Sequence, residues 1–318
     1  MLAADPPAPS DAAIDYADGR ITVSIGGQPV MSYQSAMKPP PEGINPLVRG
    51  NGFVHPFRTP GGAVVTDDFP PDHPHQHGLF HAWTKARFRG HRVDFWNTHK
   101  GLGRVVHRRL LGESGGGGFS LDGPLPEHAG FLVRLEHLDT TTEPPVIAMV
   151  EDRRYTVRRI TEPTDRGELV AHAIDFESTL TAATDDPVTL QQYLYGGVAC
   201  RGPRGWTIAA GHRFVTADGD DRIARNHTPQ HWVASTGPAG DDSRATVALL
   251  SHPSNVRSPQ PVRLHPEMPY FVFSPTVNEP LIVDRDHPLV SRYRYLAFDG
   301  EPEAGMMEAF WEGYANAE

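Results

Sequence analysis

The sequence predicts an all-β fold, a large antiparallel β-sandwich, on three observations. From residue 104 onward apolar and polar residues alternate in short runs, the two-residue period of strands with one wet face. Turn residues punctuate those runs, with 31 Gly and 31 Pro in 318 residues. Helical periodicity is sparse, whereas a doubly wound α/β sheet needs helical segments recurring between its strands.

In chain order, residues 1–19 are assigned to a flexible N-terminal lead, its first ten rich in Pro and Ala. Residues 20–318 are assigned to one β-sandwich domain with functional loops. The first strands are Arg20 to Ile25 and Pro29 to Tyr33, after which Pro39-Pro40-Pro41 and Gly43 break regular structure. Residues 44–100 are dense in Gly, Pro, His and aromatics, which reads as short strands joined by long shaped loops. Strands follow at Val105 to Leu111, Phe131 to Leu138, Arg154 to Ile160, Leu169 to Leu180 and Val188 to Tyr195. Further ones are Trp206 to Ala210, His231 to Ser235, Thr246 to Leu250, Tyr270 to Ser274 and Ser291 to Phe298. Gly115 to Gly118 reads as a loose hairpin loop, since no strand-to-helix context or following Lys-Ser/Thr makes it a phosphate loop. Pro302 fits a first helical position, with Glu303 to Trp311 continuing a short C-terminal helix.

The formal charge of −10 disfavours unspecific nucleic-acid binding, and the Arg87/Arg89/Arg92 and Arg104/Arg108/Arg109 strips read as strand edges or anion contacts. The single cysteine, Cys200, excludes an intrachain disulfide framework and reads as a small buried residue. No run approaches about 18 consecutive apolar residues, so neither a membrane span nor a membrane partner is expected. The start lacks the basic cap and apolar core of a secretory signal. Cytoplasmic location is therefore the default expectation, with an export signal lost upstream left open. Self-association into a homo-oligomer is also left open.

The densest chemical signal is Asp72-His73-Pro74-His75-Gln76-His77, followed by His81; seven of the 17 histidines fall between His73 and His107. Pro74 restricts His73 toward extended geometry. An extended backbone through His77 would aim the three alternate imidazoles at one point. One reading is a divalent transition metal held by His73, His75 and His77. The other is metal-free acid/base chemistry, with Asp72 or Asp94 tuning the imidazoles. The nearby Phe80, Trp83, Phe88, Phe95 and Trp96 suit the C–H faces of sugar rings, although such rings are more often core.

A second constellation, Ser251-His252-Pro253-Ser254-Asn255, follows an apolar strand, which makes His252 and Asn255 pocket candidates. No Gly-x-Ser-x-Gly elbow supports a serine nucleophile. His55 and His287 each precede a proline and read as turn caps or cleft residues, and His172 reads as a hydrogen-bonded core histidine. Glu308, near Trp311, is expected at the surface.

These segments resemble the PmoA-like bacterial proteins (DUF6807), a family of unassigned function. The resemblance rests on His55-Pro56-Phe57-Arg58-Thr59-Pro60-Gly61-Gly62, Val64-Val65-Thr66, Asp72 to Leu79 and Asp94-Phe95-Trp96. It returns at His252-Pro253-Ser254-Asn255, Tyr293-Arg294-Tyr295 and Asp299-Gly300. It implies a large β-sandwich of the galactose-mutarotase-like supersandwich type and pocket residues His55, Asp72, His73, His75, His252 and Asn255. The chain departs at His77, where arginine is typical of the family, and at Gln76, where histidine is usual.

The expected function is a carbohydrate-active enzyme acting on a sugar or sugar-derived small molecule as a lyase, hydrolase or epimerase. His73, His75, Asp72 and His252 are its catalytic candidates, and His55, Trp83, Asp94, Trp96 and Asn255 its substrate-binding candidates. The alternatives are an enzyme dependent on a divalent transition metal at His73, His75 and His77, and a non-catalytic carbohydrate-binding module. A deep pocket with convergent polar groups favours an enzyme; a shallow aromatic platform favours the module.

Overall fold

The computed structural model describes residues 12–114, 129–164, 167–240 and 242–316. Its first strands are β1 (Ala12–Ala17), β2 (Arg20–Ile25), β3 (Gln28–Gln34), β4 (Val54–Phe57), β5 (Leu79–Ala82), β6 (Ala86–Phe88) and β7 (His91–Val93). Next come β8 (Gly103–Ser114), β9 (Ala129–Asp139), β10 (Val146–Thr164), β11 (Gly167–Ala182), β12 (Val188–Leu190), β13 (Gly197–Arg201) and β14 (Arg213–Thr216). The chain closes with β15 (Pro229–Gln230), β16 (Trp232–Pro238), β17 (Arg244–Ser251), β18 (Gln260–Leu264), β19 (Tyr270–Phe273), β20 (Leu281–Val283), β21 (Leu289–Asp299) and one helix, α1 (Ala304–Ala315).

These elements make a mostly antiparallel β-structure of three sheets, ordered β1-β2-β3-β4-β5-β13-β19-β18-β15, β14-β16-β17-β21-β11-β10-β9-β8 and β20-β12-β6-β7. One hydrophobic cluster draws on both large sheets, with Val23, Tyr33, Val54, Val198 and Phe271 from the first and Val133, Tyr155, Phe176, Leu249 and Tyr295 from the second. The Tyr295 hydroxyl spans the two, donating to the Ala199 carbonyl at 2.9 Å. On the other face of the second sheet, Ala171, Ala173, Leu250 and Phe298 pack under Met306, Met307, Phe310 and Tyr314 of α1. The wet face expected on Leu169 to Leu180 therefore begins only at Asp175, because the helix covers the alanines before it.

Several expectations shift. The assigned lead contains β1, paired to β2 through a two-residue Asp18-Gly19 turn with φ of 52° and 69°, the positive angles a tight hairpin needs. Residues 1–11 and the Gly115 to Gly118 run lie outside the described residues. The expected strand at Trp206 to Ala210 is a run of turns, and that at Val188 to Tyr195 ends at Leu190. Helix α1 starts one residue past Glu303, so Pro302 stands before the helix rather than at its first position. No helix among the described residues is long and apolar enough to cross a membrane.

Candidate functional site

The histidine-rich segment is not extended. His73 N donates to the Pro70 carbonyl at 3.1 Å and Gln76 N to the His73 carbonyl at 2.9 Å, so two successive turns fold it into a compact loop. The loop ends at Gly78, whose φ of 49° and whose approach to Val54 exclude a side chain: a Cβ there would lie 2.1 Å from the Val54 carbonyl oxygen. Arg201, at the end of β13 and only 2% exposed, holds the loop from beneath. Its guanidinium donates to both Asp72 carboxylate oxygens at 2.9 and 3.0 Å and to Gln76 Oε1 at 3.2 Å. Burial would raise the Asp72 pKa, but the Arg201 charge outweighs it and holds the carboxyl below its ordinary value.

The turns send the alternate histidines to different places. His73 and His75 line a cavity of about 550 Å³ together with Asp72, Trp96, His99, Tyr195 and His265. The ring centroids lie 5.7 Å apart for His73 and His75, 5.0 Å for His75 and His99, and 6.0 Å for His73 and His265. His77 instead turns inward: it shares a hydrogen bond of 2.7 Å with Asp68 Oδ1 and stacks on Phe53 at 4.6 Å. The expected set of His73, His75 and His77 thus does not converge. Among the described residues no group of three or more His, Cys, Asp or Glu side chains is arranged to hold a metal ion.

The cavity wall is set by a short 3-10 turn, Thr98–Lys100, that presents His99 opposite His75. Asp94 organises this turn from behind. It is fully buried, and its carboxylate accepts from Thr84 Oγ1 at 3.0 Å and from Asn97 N and Nδ2 at 2.9 to 3.2 Å. Trp96 sits edge-on to Phe80 at 4.7 Å, and Tyr195 lies 6.2 Å from it. His75 is pushed down to about 3, first by burial and then by the neighbouring His99 and His73, so its imidazole is neutral across the physiological range. His265 is lowered to about 4 by burial and by Arg263, and its Nδ1 accepts from the backbone N–H groups of Glu267 and Met268.

Beneath His75 and Trp96 lies a smaller cavity of about 50 Å³, bordered also by His77, His81, Thr98 and Arg153. Here a second histidine group is locked in the protein interior. Glu151 is fully buried and accepts from His81 Nδ1 and His137 Nε2, each at 2.7 Å, from Arg153 at 2.6 and 2.8 Å, and from Ser178 at 2.6 Å. Burial alone would raise the Glu151 pKa, yet Arg153 and the two histidines hold it well below the carboxylate range. Burial lowers both His81 and His137, so they are neutral donors to an ionised Glu151. The remaining Arg153 hydrogens reach the Gly52 and His81 carbonyls at 2.7 Å, tying β10 to the first sheet. His81 Nε2 and Thr98 Oγ1 are buried without a protein partner.

The other expected site residues are placed elsewhere. His55 shares a 2.9 Å hydrogen bond with Thr66. His252 caps its own turn against Ser254 at 2.7 Å and meets Tyr314 edge-on, under the C-terminal helix. Asn255 is a structural clamp, donating to Ser251 Oγ and the Arg292 carbonyl and accepting from Arg292 N. Trp83 is core of the small sheet. None of these four lines the His73/His75 cavity. His172, as expected, is a core histidine bonded to the Arg58 carbonyl at 2.8 Å, and burial raises the Cys200 thiol pKa.

Sequence reasoning missed Arg201, His99, His265, Tyr193 and Tyr195. Arg201 pairs with Asp72 across 129 residues, and no local pattern announces such a pair.

An all-β scaffold carrying a histidine-walled pocket on one loop cluster is what fold and site define. The chain belongs to the family of unknown function DUF6807, whose model matches residues 20–312. No curated protein and no solved structure matches it.

Proposed function

We propose that the chain is an enzyme acting on a sugar or sugar-derived small molecule, with His75 as the proton acceptor. The observation that carries this reading is a neutral, partly buried imidazole facing a cavity of about 550 Å³ beside two further histidines. His75 is unprotonated at working pH, but an imidazole lowered to about 3 is a weak base, so its role as acceptor requires an anionic ligand beside it that raises its proton affinity. His73, 3.5 Å from Asp72, is the second proton-handling group. Asp72 and Arg201 hold both through the loop. Trp96 and Tyr195 supply flat faces for C–H surfaces, and His99, Asn97 and His265 supply hydrogen bonds. Convergence of polar groups in a cavity, rather than aromatics on an open sheet, favours turnover over a binding module. General acid/base proton transfer serves all three classes: an epimerase abstracts and returns a proton at carbon, a lyase abstracts one and protonates the leaving oxygen, and a hydrolase deprotonates water and protonates the leaving oxygen. We read the fold in the same way, as a PmoA-like member of the family with a mutarotase-type two-sheet sandwich.

A metal-dependent version does not fit the triad of His73, His75 and His77, since Asp68 and Phe53 claim His77. It would need His99 in its place. Elemental analysis followed by chelation and recovery of activity separates the two versions.

Turnover of a panel of hexoses, sugar acids and their lactones by the native chain, His73→Ala and His75→Ala tests the proposal. Both variants are expected to lose activity with folding intact. Full activity in both overturns it.

A further inference from the structure

The chain is strongly acidic as a whole, with a formal charge of −10, yet the His73/His75 cavity is walled by Lys85, Arg92 and Lys100. Among the described residues the wall has one carboxylate, Asp72, and Arg201 already matches it, its Nη2 donating to both carboxylate oxygens. Behind the wall, Asp94 stands 3.5 Å from both Arg92 Nη2 and Lys100 Nζ, so a single buried charge is shared between two cations. Both cations keep exposed side chains, 48% and 39% accessible, and can swing toward a ligand. Among the described residues Lys85 enters no ion pair; its ammonium lies 3.7 Å from the centroid of the Tyr193 ring. Lys85 also takes a φ of 50°, a left-handed conformation uncommon for a residue with a Cβ. Its backbone is thus held in an unfavourable region, and both Lys85 and the Tyr193 ring that its ammonium covers line the cavity. The cavity's histidines add hydrogen-bonding capacity with little fixed charge, since His75, His99 and His265 are all lowered by burial first.

We propose that the ligand of this cavity carries a negative charge next to its hydroxyls, as a uronate or aldonate does, and that Lys85, Arg92 and Lys100 recognise that charge. The inference rests on the reading of the cavity as a sugar site. An excess of cations in a concave wall concentrates anions and speeds their capture, and salt weakens the effect.

Calorimetric titration of the full chain with D-glucuronate, D-galacturonate, the corresponding neutral hexoses and inorganic phosphate tests it, at low and at high salt. The uronates are expected to bind about tenfold more tightly than the neutral sugars, an advantage of the size one or two partly exposed ion pairs provide. High salt should erase most of it, and Lys85→Ala and Arg92→Ala should each weaken uronate binding several-fold without weakening the neutral sugars. Neutral sugars binding as well as uronates, with both variants silent, overturns the charge inference and leaves the sugar reading standing. Phosphate binding as well as the uronates while no neutral sugar binds supports the charge inference and overturns the sugar reading. No binding by any of the probes overturns both.

Discussion

His75 and His81 lie close in sequence and border the same small cavity, but their surroundings differ in what they satisfy. His81 donates to Glu151, which also takes His137, Arg153 and Ser178, so the interior group gathers its donors on one buried carboxylate, with the second ring nitrogens of His81 and His137 buried without a protein partner. His75 stands among His73 and His99 with ring contacts only, on a loop anchored by Arg201. A buried ion pair with several hydrogen bonds fixes geometry, because removing any member leaves a charge or dipole stranded. An open cluster of imidazoles leaves its polar atoms for a ligand. Histidine density alone therefore does not mark chemistry; what closes around each ring does.

The sharpest way to break this comparison is Arg153→Met. It strands the Glu151 carboxylate in the interior, and urea unfolding is expected to show a loss of about 3–5 kcal/mol. A loss below about 1 kcal/mol would mean the interior group is not structural. His75→Ala is expected to do the opposite, lowering turnover by about 10²–10⁴-fold while unfolding free energy changes by less than about 1 kcal/mol.

Acid sharpens the contrast further. His75 and His212 are lowered to about 3 and His265 to about 4, against an ordinary value of 6.5. Between pH 6.5 and those values the unfolded chain binds protons that the folded chain refuses, so stability falls as pH drops through that window and is fully present above it. Thermal unfolding at pH 7 and pH 5 should show this fall, and His75→Asn should make it shallower. An unchanged midpoint between the two pH values would contradict the burial of these rings.

Asp72→Asn removes the charge partner of the buried Arg201, with an expected cost of about 1–3 kcal/mol in urea unfolding and a weakened ligand site. His252→Ala, at an exposed turn under the helix, should stay within about 0.5 kcal/mol and leave turnover unchanged. A turnover loss there would extend the site beyond the loop cluster.

Much of the fold was legible because strand alternation and turn residues are local signals, and Arg20 to Ile25 and Thr246 to Leu250 fall inside observed strands. The segment from Asp72 to His77 was legible as a location but not as a geometry. Proline restriction suggested extension, whereas hydrogen bonds to the Pro70 and His73 carbonyls turn the chain twice. The second half of the site was invisible for a different reason. His99, His265 and Tyr195 come from separate loops far apart in the sequence, and only the tertiary fold brings them to one cavity. In the second motif Asn255 clamps the turn onto β21 and His252 caps that turn, both outside the His73/His75 cavity.

The most direct test is a long-range ¹H–¹⁵N imidazole spectrum recorded with and without D-glucuronate. The resonances of His73, His75, His99 and His265 are expected to move on addition, with those of His81 and His137 fixed. Movement of the His81 and His137 resonances while the four cavity histidines stay still would contradict the assignment of function to the loop and of structure to the interior.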